Sequence, residues 1–177
     1  VDEPRPQPNR PGVDAELRVE IATERLKERI YATITMIAVA AGLALGGHVG
    51  PGGAALSVIG TAAGLWLATL VSDGQAHMTV HGVRPDRHGM LRSLYITSPL
   101  LLSAVSPLLL IGVSALGLMT LRTALLTAVG LDVLSLFVWG YVSGRRMGGR
   151  PLAALVAGVL DLLIGAVVVA VKIVAGH

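Results

Sequence analysis

From Ile30 onward the chain is a succession of apolar blocks separated by short stretches that are polar, glycine-rich or both. The blocks cover about 30–46, 54–76, 97–119, 122–143 and 152–174. A helix needs ~20 apolar residues to cross the ~30 Å hydrocarbon core of a bilayer, so each block predicts one transmembrane helix. The first block is short, and its first turn is expected to take in charged residues ahead of Ile30. The predicted class is all-α: a polytopic membrane protein of five transmembrane helices over 30–177.

Ahead of the first block the pattern changes to a helical stripe. Ala15, Val19, Ala22, Leu26 and Ile30 share one face, as a 3.6-residue period requires. Glu16, Glu20, Glu24 and Glu28 run beside that stripe, and Arg18, Arg25 and Arg29 form its other flank. The segment 13–29 therefore predicts an amphipathic helix on the cytoplasmic membrane surface, leading into the first span. Residues 1–12, "VDEPRPQPNRPG", carry four prolines and almost nothing apolar. They predict a disordered tail, and no apolar stretch follows directly, as a signal peptide would need.

The connections fix an expected orientation. Arg84, Arg87 and Arg92 lie in the second, and Arg145, Arg146 and Arg150 in the fourth. The first has no Lys or Arg, and the third has only Arg122. The positive-inside rule then places the N-terminus in the cytoplasm and the C-terminus outside a bacterial cytoplasmic membrane. An odd number of spans excludes two equal inverted halves unless one span stands apart.

Composition supports the membrane class and removes several functions. Hydrophobic residues make up 53% of the 177, with a mean hydropathy of +0.72, well above a soluble domain. There is no cysteine, so disulfides, thiolate metal sites and cysteine nucleophiles are excluded. Aromatic residues are 3%, too few for base-stacking platforms. The net charge of +3 is concentrated in the connections, so no nucleic-acid partner is expected. Twelve of the fourteen basic residues are Arg, a bias associated with GC-rich genomes such as those of actinobacteria. No phosphate-binding glycine loop or nucleophile with a matching base is present, and the chain is not expected to be an enzyme.

Candidate chemistry sits at two depths. Asp132 lies about ten residues past Arg122, and Asp161 ten residues past Pro151, which puts each ~15 Å into the membrane from opposite sides. Two carboxylates at the midplane can share a proton or coordinate a cation, and intramembrane ionisable groups mark pathways by default. Hydrogen bonds to a serine such as Ser135 are the bland alternative. Lys172 reads as a snorkelling cation near the end of the last span.

At the arginine-rich side, "SDGQAHMTVHG" places Asp73, His77 and His81 four residues apart. If the helix continues, the three share a face. With Glu28 they form a candidate metal set whose oxygen and imidazole ligands suit Fe(II), Mn, Zn or Ni. The ordinary end of a membrane helix, with histidines complementing its dipole and Asp73 pairing with Arg145 or Arg146, explains the same residues. A divalent metal would be substrate rather than a resident cofactor.

Gly60, Gly64, Ala68, Ser72 and Ala76 form a small-residue ladder on the second span, a signal for close helix packing within or between chains. Pro99 and Pro107 are expected to bend the third span, with Ser103 and Ser106 near the freed carbonyls.

Two resemblances are carried by short motifs. "ERIYATI" at 28–34, "LWLA" at 65–68, "WGYVSGRR" at 139–146 and "VVVAVKI" at 167–173 resemble an uncharacterised family of small actinobacterial integral membrane proteins. The five-span topology, the cytoplasmic N-terminus and the glycine-rich fourth connection are similar to the vacuolar iron transporter (VIT-like) family. That resemblance implies an amphipathic N-terminal helix, a dimer, and Fe(II) or Mn(II) exchanged for protons. The family's Asn-Asp-Gly motif in the first span is missing, and a short Arg/His connection replaces its glutamate-rich insertion, so no metal ligand transfers residue by residue. Two functions remain open from the sequence. One is a divalent-cation or proton-coupled transporter with a midplane carboxylate pair, dimeric in the bilayer. The other is a non-catalytic accessory or scaffold subunit of a larger membrane complex.

Overall fold

The computed structural model describes residues 11–47, 49–83, 86–146 and 150–175. Among these every element is helical, and no strand occurs. Six helices follow in order: α1 (Pro11–Gly46), α2 (Pro51–His81), α3 (Arg87–Leu102), α4 (Val105–Ala115), α5 (Leu121–Arg146) and α6 (Pro151–Ala175). Taking α3 and α4 as one interrupted span, five helices are long and apolar enough to cross a membrane.

The segment expected as a separate surface helix is the first half of α1. Between Val13 and Ala41 the sequence has neither Gly nor Pro, so nothing breaks the ladder where charge gives way to apolar residues. The 36-residue helix is ~54 Å long, and its charged half runs into its apolar half without a break. Residues 1–10 of the expected tail lie outside the described residues, and Pro11 and Gly12 already belong to α1.

The second connection is much shorter than its polarity suggests. α2 runs to His81 and stops at Gly82, whose φ of 67° is left-handed and whose N–H bonds to the Met78 carbonyl. The Asp86 carboxylate then accepts from the Gly89 N–H at 2.7 Å and starts α3, the usual work of an N-cap. At the other ends of two spans, Pro51 and Pro151 open α2 and α6, where the missing N–H costs nothing.

The third span breaks at Ser103–Ala104, between α3 and α4. Pro107 cannot donate to the Ser103 carbonyl, so the helix loses a rung there. Ser103 donates its hydroxyl to the Leu100 carbonyl at 2.6 Å, and the Ala104 N–H turns to Leu101 at 3.2 Å. The bend predicted from the prolines is thus a full interruption.

α1 is the central helix, packing against α2, α3, α5 and α6. Met36, Ile37, Ala40 and Ala41 of α1 meet Val58 of α2, Ile111 of α4, and Leu125, Val129 and Leu136 of α5 in one core. The tightest pairing is α5 on α6. A Cβ at Gly144 would stand 2.6 Å from the Ala154 Cα, so only glycine allows the two backbones to approach that far. Large apolar side chains cover the outside, among them Leu56 and Leu67 on α2 and Leu160 and Val167 on α6. In water this surface would be an aggregation face; it is compatible with contact with lipid.

The charged half of α1, the C-termini of α2 and α5 and the N-termini of α3 and α6 gather at one end. Arg92 pairs with Glu20 at 3.4 Å. Arg25 stacks over Tyr95, and Arg29 over Trp139.

Candidate functional site

Asp132 lies on the buried stripe of α5, in line with Leu125, Val129 and Leu136, and is only 7% exposed. The helix period would put an apolar residue there. Ser106, in the first turn of α4 just past the break in the third span, reaches the carboxyl. Yet Asp132 Oδ2 and Ser106 Oγ are both buried without a completed hydrogen bond. Ser135, the expected serine partner, donates instead to the backbone carbonyl of Asp132 at 2.8 Å. A buried carboxyl oxygen without a donor costs free energy in any protein, more in a bilayer that offers no water. A proton or a cation on Asp132 would remove that cost.

Asp161 is placed differently. It is half-buried on α6, with its carboxyl against α5 at Gly140. A Cβ on Gly140 would stand 2.5 Å from Asp161 Oδ2 and 2.9 Å from the Gly158 Cα. Gly140 is eight positions beyond Asp132, ~12 Å along the helix. The structure therefore does not bring the two aspartates into one site; it sets them at successive depths, Asp161 nearer the arginine-rich end.

At that end, α1 and α2 enclose a cleft of about 520 Å³ lined by Lys27, Glu28, Tyr31, Thr69, Ser72 and Asp73 among others. Glu28 and Asp73, predicted from distant stretches of sequence, thus share one cavity. Glu24 and Lys27 act on Asp73 from α1, and Lys27 itself pairs with Glu24 at 3.1 Å. Asp73 makes no ion pair with Arg145 among the described residues. The helix does continue through Asp73, His77 and His81. His77 does not line the cleft, and the His81 side chain lies outside the described residues. Among those described, no group of three or more His, Asp or Glu is disposed to hold a metal ion.

The small-residue ladder faces outward. Gly60, Gly64, Ala68, Ser72 and Ala76 are all exposed, and a Cβ at Gly60 or Gly64 would meet nothing within 4 Å. Its glycines are therefore not used for packing inside the chain, while Ala68 and Ser72 edge the cleft toward α1. The glycines that do bring helices together are Gly140, Gly144, Gly158 and Gly165, between α5 and α6.

Sequence reasoning assigned Ser106 to the proline kink and missed that it faces Asp132. It also missed Arg25 and Arg29 as partners of Tyr95 and Trp139. The available signal was Pro99: it strips the Tyr95 carbonyl of its helical donor, and a polar group was needed nearby. No protein-family model matches this chain, and no curated protein matches it.

Proposed function

We propose that the chain is a small proton-coupled cation transporter of a bacterial cytoplasmic membrane, with its N-terminus in the cytoplasm. The observation that supports this is the buried, incompletely bonded Asp132 carboxyl beside Ser106 at the break of a transmembrane helix. Interrupted spans free backbone carbonyls at membrane depth, and transporters place ion sites at such interruptions. An ionised carboxylate there costs at least ~2.5–3.5 kcal/mol on insertion scales; a bound proton or cation offsets it. Asp132 would be the midplane site, Asp161 the next station toward the arginine-rich end, and Glu28 with Asp73 the mouth. His77 and His81 stand further along α2 and could add to that mouth. The first substrates to test are protons, Fe(II), Mn(II) and Zn(II).

Proteoliposomes containing the wild type are expected to show cation flux linked to pH. Asp132→Asn should abolish it while the protein remains folded, and Asp161→Asn should slow it. Normal flux in both variants would overturn the mechanism.

A second reading, an accessory or scaffold subunit, is favoured by the exposed ladder on α2. Gly60, Gly64 and Ala68 would seat a helix of another chain, either a second copy in a dimer or a larger complex. Purification in a gentle detergent should then recover a stoichiometric partner. A monomer in every gentle detergent would remove this reading.

A further inference from the structure

The charged half of α1 separates two cavities of opposite character. Toward α2 lies the acidic cleft described above. Toward α3 and α5 lies a larger one of about 800 Å³, and no acidic side chain lines it. Arg18, Arg25 and Arg29 come from one flank of α1, and Tyr95 and Trp139 stand on the facing helices.

The two inner guanidiniums rest on aromatic faces. Arg25 Cζ is 3.8 Å from the Tyr95 ring centroid, and Arg29 Cζ is 4.0 Å from that of Trp139. Neither arginine has a carboxylate partner among the described residues; the ion pairs there join Lys27 to Glu24 and Arg92 to Glu20. Arg25 instead acts on Arg29 as a like charge. One Arg25 N–H is used on the Tyr95 carbonyl, which leaves most of its five donors free. Three cations line one cavity with no acidic side chain among the lining residues, and guanidinium donors suit a phosphate in charge and in hydrogen bonding.

The remaining lining decides the kind of phosphate. Leu26, Pro99 and Val142 make apolar wall beside the arginines. The cavity lies where α1 passes from charged residues to its apolar stretch at Ile30, the level at which headgroups meet acyl chains. Tyr and Trp are the residues that settle at that level. A soluble phosphate would use the arginines and leave the apolar wall bare; a phospholipid uses both.

We propose that this cavity binds the headgroup phosphate of one anionic phospholipid from the surrounding leaflet. Arg29 and the free donors of Arg25, one turn apart on α1, hold the phosphate, Arg18 adds positive charge two turns further out, and the acyl chains run along α3 and α5. The proposal is independent of whether the protein transports.

The full chain carrying Trp66→Phe has Trp139 as its sole tryptophan. In dodecylmaltoside it would be titrated with dioleoyl phosphatidylglycerol, dioleoyl phosphatidylcholine or glycerol 3-phosphate. Trp139 emission and lipid retained in native mass spectrometry are followed together. One phosphatidylglycerol per chain should be retained, with saturation at roughly tenfold less lipid than phosphatidylcholine requires. Each lost arginine should weaken binding about fivefold, so Arg18→Gln/Arg29→Gln should weaken it about 25-fold. Arg18→Gln alone changes an exposed side chain and keeps the test open if the double variant does not fold. Equal binding of the two lipids, no retained phosphatidylglycerol, or unchanged affinity in the folded variants would overturn the proposal. Full saturation by glycerol 3-phosphate alone would also overturn it, making the cavity a soluble-phosphate site.

Discussion

Arg25 donates from Nη1 to the backbone carbonyl of Tyr95 at 2.6 Å, and that carbonyl is the one Pro99 leaves without a helical amide. The Ser98 hydroxyl is its other donor, at 2.9 Å. A proline in α3 and an arginine 74 positions earlier are therefore complementary. The helix defect supplies an acceptor, and the guanidinium that fills it ties the charged half of α1 to α3.

This relationship predicts a double-mutant cycle. Arg25→Gln should destabilise the folded protein by ~1.5–3 kcal/mol, the range for hydrogen bonds to charged groups. In a Pro99→Ala background the amide of residue 99 can satisfy Tyr95, and the same change should cost clearly less. Thermal unfolding in detergent measures both. Equal costs in the two backgrounds would mean that Arg25 acts only through the Tyr95 ring.

Asp132 predicts a trade between stability and function. Its Oδ2 is buried without a donor, so Asp132→Leu should stabilise the protein or leave it unchanged, within ~1–3 kcal/mol. Cation flux should disappear in the same variant. A lower unfolding temperature for Asp132→Leu would show that the carboxyl makes a structural bond and would weaken the transport proposal.

Glycines on two helices predict opposite outcomes for one chemical change. Gly144→Ala puts a methyl group 2.6 Å from the Ala154 Cα and must push α5 from α6, at a cost of ~1–3 kcal/mol. Gly64→Ala meets nothing within 4 Å and should be neutral or stabilise by ~0.5–1 kcal/mol, the usual gain of Ala over Gly in a helix. Unfolding of the monomer distinguishes the two.

Gly60→Leu/Gly64→Leu tests the outward face itself. It should leave the fold intact, since a Cβ at either glycine meets nothing within 4 Å. If α2 seats a second copy, crosslinking in native membranes should fall at least tenfold. Unchanged crosslinking would leave the ladder facing lipid.

The five long apolar helices were legible because hydropathy over twenty residues needs no tertiary information. Pro51 and Pro151, where α2 and α6 begin, carry a start signal just as local, although the apolar blocks alone put those starts at 54 and 152. Asp86 was passed over as a cap because the charged residues around it read as loop. The continuity of α1 was missed because a change from charged to apolar residues resembles a boundary, although no residue there can break a helix. The candidate site was less legible. Asp132 and Asp161 stood out as charges in apolar blocks, but their separation depends on how Gly140 and Gly158 set the register of α5 on α6. Ser106 and Asp132 lie on different helices, as do Arg29 and Trp139, and no periodicity within one helix reports such a meeting.

The central position of α1 bears on how the molecule is made. Its packing partners α2, α3, α5 and α6 all follow it in the chain. As the polypeptide leaves the ribosome, this helix keeps part of its core face uncovered until the α5–α6 hairpin arrives. Of the five apolar helices, the one that leads the others in the chain is thus the one whose burial is completed last.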